Sequence, residues 1–226
     1  MPYDSYGRYY DDGRPVSPAD PIQPKRRQGM FSGTQMKATL VLIAANAVFF
    51  VITSLLPDRI YSSLALSTYS LRLGDWWTLV SSMFMHSGFS HIANNMISLL
   101  FVGAFLEPRI GTARFSAIYA LSGIVGGIAF YFIHTVMGDH SLVVGASGAI
   151  FGLFGAYGYL ILKNHLLHGR GDGTPITEIQ VALFGFFLLE NIVYGLADSS
   201  VANSAHLGGL VAGIILARAL IPAEEI

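Results

Sequence analysis

Ser147 heads the stretch best suited to nucleophilic chemistry, Val144-Gly145-Ala146-Ser147-Gly148-Ala149-Ile150-Phe151-Gly152. One hydroxyl stands among small residues at the head of a long apolar run, so a substrate backbone can approach it closely. Gly148, Gly152 and Ala156 recur every fourth residue, which places them on one face of a helix. Near the chain's end Ala205-His206-Leu207-Gly208-Gly209 opens another apolar run, in which Ala205, Gly209, Gly213 and Ala217 keep the same spacing. Such stripes let two helices pack with little between their backbones. Ser147 and His206 each lie one residue from the first small residue of their stripe. Packing the stripes together therefore brings a serine and a histidine to one depth.

A third stretch adds His91 and Asn95, one helical turn apart and so pointing the same way. Taken singly, an apolar-helix serine more often bonds its own backbone, and a histidine more often makes a helix–helix hydrogen bond. Together they are the inventory of acyl transfer. Ser147 is the nucleophile, His206 the base whose ordinary pKa suits that task, and His91 and Asn95 the donors for an oxyanion. The Ser147 backbone N–H, near a helix N-terminus where such groups lack partners, adds a third donor. No acid is placed to complete a triad, so a two-residue dyad is expected. The stretch is not the Gly-x-Ser-x-Gly elbow of soluble hydrolases, because Ala149 stands where the last glycine would be.

These residues must be positioned by a membrane-embedded scaffold. Of 226 residues, 53% are hydrophobic and only 12% charged, about half the charge fraction of a soluble domain. Six apolar runs approach or exceed the ~20 residues that span a bilayer as a helix. They fall at about 38–56, 79–106, 113–137, 144–162, 176–196 and 205–221. Residues 58–77 mix Trp76, Trp77, Tyr61 and Tyr69 with serines and charges, which reads as an interfacial segment with an aromatic belt. Residues 1–36 read as a disordered tail, 37–222 as the helical domain and 223–226 as a short C-terminus. Only Arg59 and Arg72 of the 13 Lys and Arg fall in loops on the far side of the membrane, so both termini are expected in the cytoplasm. The fold class is an all-α membrane protein, a bundle of six transmembrane helices. Spans two, four and six then carry His91 with Asn95, Ser147 and His206 near their outer ends. The net charge of −1 offers no footprint for nucleic acid, and the absence of cysteine excludes thiolate metal sites and cysteine nucleophiles.

With these motifs the sequence resembles the rhomboid family of intramembrane serine proteases, over most of 76–217. Gly145-Ala146-Ser147-Gly148 is similar to the family's Gly-x-Ser-Gly motif, which makes Ser147 the nucleophile. Ala205-His206 with Gly209 resembles its final-helix motif and makes His206 the base. His91-Ile92-Ala93-Asn94-Asn95 resembles its His-x-x-x-Asn motif, with both ends in the oxyanion region. His86 has a family counterpart near a water-filled cavity. Glu107-Pro108-Arg109 with Gly111 resembles a structural Glu-x-Arg element. Phe151 stands where the family often has a tyrosine packed on the catalytic histidine; it keeps the ring and loses the hydroxyl.

The resemblance implies cleavage of single-pass membrane proteins in or near their spans, in the lipid bilayer, without metal or other cofactor. It implies an active site open to the extracellular or periplasmic side of a cell membrane. It leaves the oligomeric state and the role of Glu190 open. Two other readings compete: a proton-relaying transporter or channel using His86, His91 and His206, and a catalytically inactive rhomboid-like binding protein. No broken-helix pair or internal repeat favours the first, and retention of both serine and histidine disfavours the second. Because hydrolysis needs water below the membrane surface, His86, His91, Asn95 and Asn203 are expected to hold a polar cavity open. The segment 197–204 is expected to form a lid, and the fifth span, with Phe184, Phe186 and Phe187, a side gate.

Overall fold

The computed structural model describes residues 36–166, 178–197 and 202–222, together with 10–11 and 14–15. Tyr10–Asp11 and Arg14–Pro15 pair as a short antiparallel ladder. The rest of the expected tail, residues 167–177, residues 198–201 of the expected lid at 197–204, the 223–226 terminus and the side chain of Glu190 lie outside the described residues, whereas Asn203 and Ser204 of that lid already belong to the last helix.

Among the described residues, six long helices carry the fold: α1 (Lys37–Ser54), α5 (Phe89–Ile110), α6 (Thr112–Met137), α7 (Ser147–Leu166), α8 (Glu178–Ala197) and α9 (Asn203–Leu220). Three short ones, α2 (Asp58–Leu64), α3 (Thr68–Arg72) and α4 (Thr78–Ser81), lie between α1 and α5. Among the described residues, α1, α5, α6 and α9 are long and apolar enough to cross a membrane. Their large outward side chains, such as Val41, Val48, Ile97, Phe132, Val211 and Ile215, are exposed. In water such a surface would be an aggregation liability; in hydrocarbon it is the solvated face.

α7 is the central helix. Ala149, Ile150, Phe151, Leu153, Phe154, Ala156, Tyr157 and Leu160 are all buried, so its first three turns are covered on every side. It packs most extensively on α9 and α6, then on α5. The glycine stripes explain the close approach. A Cβ built on Gly209 would run into the carbonyl of Gly148, and one on Gly213 into the carbonyl of Gly152. α6 contributes a matching stripe that the sequence reading did not single out. A Cβ at Gly126 would lie 2.7 Å from the Ala205 carbonyl oxygen, and Gly152 faces Ser122.

The interfacial segment folds as α2 and α3, with Tyr69, Trp76 and Trp77 exposed as a belt. Ser67 caps α3 through a reciprocal box with Ser70. Glu107 is buried and ties three helices together. Its carboxylate accepts from the N–H groups of Ala38 (2.8 Å) and Thr39 (2.9 Å), and from the hydroxyls of Thr39 (2.7 Å) and Thr112 (2.8 Å). A carboxylate at the start of α1 answers the unpaired N–H groups and the dipole there. Arg109 takes no part in that cluster and donates to the Phe105 carbonyl.

One expected span needs correction. The second run does not form one helix from 79. The chain makes α4, then a 3-10 turn at Ser82–Phe84, then extended backbone at Met85 and Gly88, and α5 begins only at Phe89. Ser82, Ser87 and Gly88 weaken the helix locally. The carbonyl of Ser82 accepts from the N–H of Met85 within the turn, at 3.2 Å, and from the N–H of Gly145, at 2.9 Å. At its other end α5 continues through Glu107-Pro108-Arg109 to Ile110, and Gly111, at φ +81°, turns the chain into α6.

Candidate active site

The break before α5 matters because it sets His91 in the first turn of a helix rather than in its middle. The chain around 138–147 is fixed by a series of ties to Leu66 and Thr68. Gly138 takes the left-handed conformation that ends α6. Thr68 bonds the Asp139 carbonyl (3.2 Å) and the His140 ring (3.0 Å). Leu66 and Val143 exchange both backbone hydrogen bonds, at 2.8 and 3.1 Å. Ser147 follows as the first residue of α7.

The turn holds its own polar cluster. Asp139 accepts from the Ser141 hydroxyl (2.6 Å) and N–H (2.9 Å) and pairs with His134 (2.7 Å). The Ser141 hydroxyl first, then its N–H, then His134, hold the Asp139 carboxyl down from its ordinary 3.8 to about 2. A depressed folded pKa gives stabilisation that is complete above the unfolded value and lost as pH falls through the folded one. The stability difference between wild type and Asp139→Asn is therefore expected to be full at pH 5 and to shrink between pH 4 and 2. Thermal unfolding in detergent across that range measures it, and a difference independent of pH would refute the cluster's role.

Across the α7–α9 interface, His206 Nε2 lies 2.7 Å from Ser147 Oγ. His206 is buried, and the ring of Phe151, one turn along α7 from Ser147, stacks on it at 4.3 Å and 11°. The imidazole plane is thus fixed from one side by an aromatic face, which also favours a positive charge on the ring.

His91 completes the other wall. Its Nδ1 lies 3.5 Å from the Ser87 N–H that points to it, and 3.1 Å from the Ser87 hydroxyl. An N–H can only donate, so Nδ1 accepts, and in the neutral ring the proton sits on Nε2. That edge faces the backbone beside Ser147. A Cβ built on Gly145 would be 2.8 Å from His91 Nε2 and 3.7 Å from Ser147 Oγ, and Gly145 has φ +128°. Glycine is therefore required there twice, for its conformation and for room. Gly148 faces the Ala205 carbonyl oxygen, at 3.5 Å from a built Cβ. Asn95 is buried and donates through Nδ2 to the His91 carbonyl at 2.8 Å, which leaves its second amide hydrogen for another acceptor.

Ser147, His206, His91, Asn95, Gly145 and Gly148 line one cavity of about 190 Å³. That is room for several waters, at ~30 Å³ of liquid volume each. Of the groups expected to hold it open, His91 and Asn95 line it, whereas His86 and Asn203 do not. His86 is buried behind His91, ring edge to face at 5.1 Å. The break before α5 turns it inward. The structure adds Asn191 of α8, which lines the cavity and donates through Nδ2 to Ser98 Oγ of α5 at 3.1 Å. No local pattern marks that pair, because its members lie 93 residues apart. Of the three phenylalanines expected at the gate, Phe187 stacks on Phe101 of α5 (4.2 Å, 25°), Phe184 packs on Phe154 and Tyr157 of α7, and Phe186 is exposed.

The family model of the Rhomboid domain matches residues 73–223, which include every residue lining this cavity except Leu66. The chain is 38% identical over 147 residues to Rhomboid protease GluP of Bacillus subtilis (strain 168), covering 65% of this chain and 26% of that protein. It is 35% identical over 153 residues to Putative rhomboid protease YdcA of the same organism, covering 67% of this chain and 71% of the relative. It is 30% identical over 218 residues to Rhomboid protease AarA of Providencia stuartii, with 87% and 76% covered. The chain thus spans about a quarter of the first relative and more than two thirds of the other two. With two thirds of its own length matched by the family model, and an all-helical membrane bundle built around the matched segment, this chain belongs to the rhomboid family.

Proposed function

We propose that the protein is an intramembrane serine endopeptidase that cleaves single-pass membrane proteins in or near their spans, with Ser147 and His206 as its dyad. The observation that carries this reading is the 2.7 Å contact between Ser147 Oγ and His206 Nε2 on the wall of a polar cavity inside an apolar bundle. His206 accepts the serine proton as Oγ attacks the scissile carbonyl, and returns it to the leaving amine. Phe151 holds the imidazole and stabilises its charged form. The ester left on Ser147 is then hydrolysed by water from the cavity, with His206 again the base. Ser147 N–H, at the first position of α7, and the Nε2–H of His91 and Nδ2 of Asn95 supply donors for the oxyanion. His86 supports the site by packing against His91. The distribution of Lys and Arg supports cytoplasmic termini and a cavity opening on the outer side of a cell membrane.

The direct test is covalent labelling by a fluorophosphonate in detergent, followed by identification of the labelled residue. Labelling at Ser147 that vanishes in Ser147→Ala is expected. A wild-type protein that neither labels nor cleaves any tagged single-pass substrate would overturn the reading. For the oxyanion donors, His91→Ala and Asn95→Ala are each expected to lower kcat by up to about 10²–10³ with KM little changed, the size seen when one such donor is removed. If the two together left kcat at its wild-type value, the oxyanion would have to be held elsewhere.

A further inference from the structure

The walls of the cavity differ in how they are joined. α6, α7 and α9 meet backbone to backbone, through Gly126, Gly148, Gly152, Gly209 and Gly213. Those contacts cannot open without moving whole helices. Among the described residues α8 meets α5 through side chains: the Phe187–Phe101 stack, the Asn191–Ser98 hydrogen bond and, at the far end, Arg109 to Gln180 at 3.4 Å. A Cβ on Gly185 of α8 would meet nothing within 4 Å. The α5–α8 seam is thus the part of the wall that side-chain motion alone can part, and Asn191 is the α8 residue that reaches the cavity through it.

A substrate segment at Ser147 has a particular need. Its carbonyl is reachable only from extended chain, so N–H and C=O groups that were paired within a helix lose those partners and have only the cavity's walls and waters to replace them, the surrounding hydrocarbon supplying none. A side-chain amide offers both a donor and an acceptor to such a backbone. Asn95 is held by the His91 carbonyl on the α5 wall; Asn191 stands on the opposite one. Ser98 is one turn beyond Asn95 on the same helix, and when released its hydroxyl can bond back to a carbonyl of its own helix. Asn191 Nδ2 also donates to the Phe187 carbonyl of its own helix at 2.8 Å, a bond that parting the seam does not break, so the seam itself costs the Ser98 bond.

We infer that Asn191 is an exchange contact on the α5–α8 seam: it closes the seam on Ser98 in the empty protein and binds the main chain of an extended membrane-embedded substrate once the seam has parted. This rests on the protease reading above. The test uses the purified full chain in liposomes, with a fluorogenic single-pass peptide and a short water-soluble peptide as substrates. Ser98→Ala frees the amide early and is expected to raise kcat/KM for the membrane peptide by about threefold, the scale of one interhelical hydrogen bond in a membrane. Turnover of the soluble peptide should not change. Asn191→Leu keeps the volume but loses both bonds, so KM for the membrane peptide should rise severalfold with kcat held. The double variant should match Asn191→Leu, because Ser98 then has nothing to release. No gain from Ser98→Ala, an equal gain on both peptides, or an unchanged KM in Asn191→Leu would each overturn the inference. Fluorophosphonate labelling of wild type separates the two levels. If Ser147 labels and these results fail, the exchange contact is wrong; if it does not label, the protease reading falls and takes the inference with it.

Discussion

Ser147→Ala and His206→Ala are each expected to reduce peptide-bond hydrolysis to background, with the double variant no slower than either alone. The reason is that neither group acts without the other. A serine hydroxyl is a weak nucleophile until its proton has somewhere to go, and the acceptor is 2.7 Å away. Removing one member of such a unit in a soluble serine protease costs about 10⁶ in kcat, nearly as much as removing all. The protein should stay folded in both variants. Ser147 is only partly buried and heads its helix, while α9 is anchored by Ala205, Gly209 and Gly213 on either side of the histidine's turn. Unfolding temperature and single-turnover cleavage, measured together, separate loss of chemistry from loss of structure. Substantial turnover by purified Ser147→Ala would end the assignment. Phe151→Ala is the informative companion, since it removes the ring stacked on His206 and leaves both dyad groups in place.

How much of this was legible in the sequence depended on how local the cause is. Helices α6, α7 and α9 follow from long apolar runs, and the stripes on α7 and α9 follow from spacing, so their meeting at Ser147 and His206 could be read directly. The break at 82–88 could not. Ser82, Ser87 and Gly88 weaken a helix there only mildly, and the N–H that holds the Ser82 carbonyl in the broken path belongs to Gly145, more than 60 residues away in the chain. Missing that break also misplaced His86, which the extended backbone turns away from the cavity. Glu107 was legible as part of a structural motif, but its partners are the N–H groups at the start of α1, and a helix's need for a cap does not name the residue that supplies it. The same holds for Asn191 and Ser98, each unremarkable in its own helix. The α6 stripe was hidden for another reason: Ser122, Gly123, Gly126 and Gly127 are diluted by large residues in the same run, and only the partner backbones show which of them are contacts.

The α7–α9 interface leads to the other large effect. Gly209→Val is expected to lower stability and to abolish the proposed hydrolysis although it touches neither Ser147 nor His206. The nearest atom to a built Cβ at Gly209 is the carbonyl oxygen of Gly148, which is backbone and has no rotamer by which to retreat. α9 must therefore shift outward or rotate. Overpacking of this kind costs about 1–3 kcal/mol where a core can adjust, and more where it cannot. The displacement is applied at the dyad itself, because Gly148 follows Ser147 and Gly209 lies one turn after His206. An increase of 1 Å would take the 2.7 Å contact beyond hydrogen-bonding range, and a misplacement of that size can cost about 10² in rate. Gly213→Val meets the Gly152 carbonyl in the same way, one turn further from the dyad, so it should cost as much stability with a smaller loss of rate. Gly185→Ala on α8, where a Cβ meets nothing, is the control: it should leave the labelling rate unchanged and should not lower the unfolding temperature. Unfolding temperature reports the packing, and the rate of fluorophosphonate labelling reports the dyad. A Gly209→Val protein that unfolds at the wild-type temperature and labels at the wild-type rate would show that the small-residue stripes do not set the distance between Ser147 and His206.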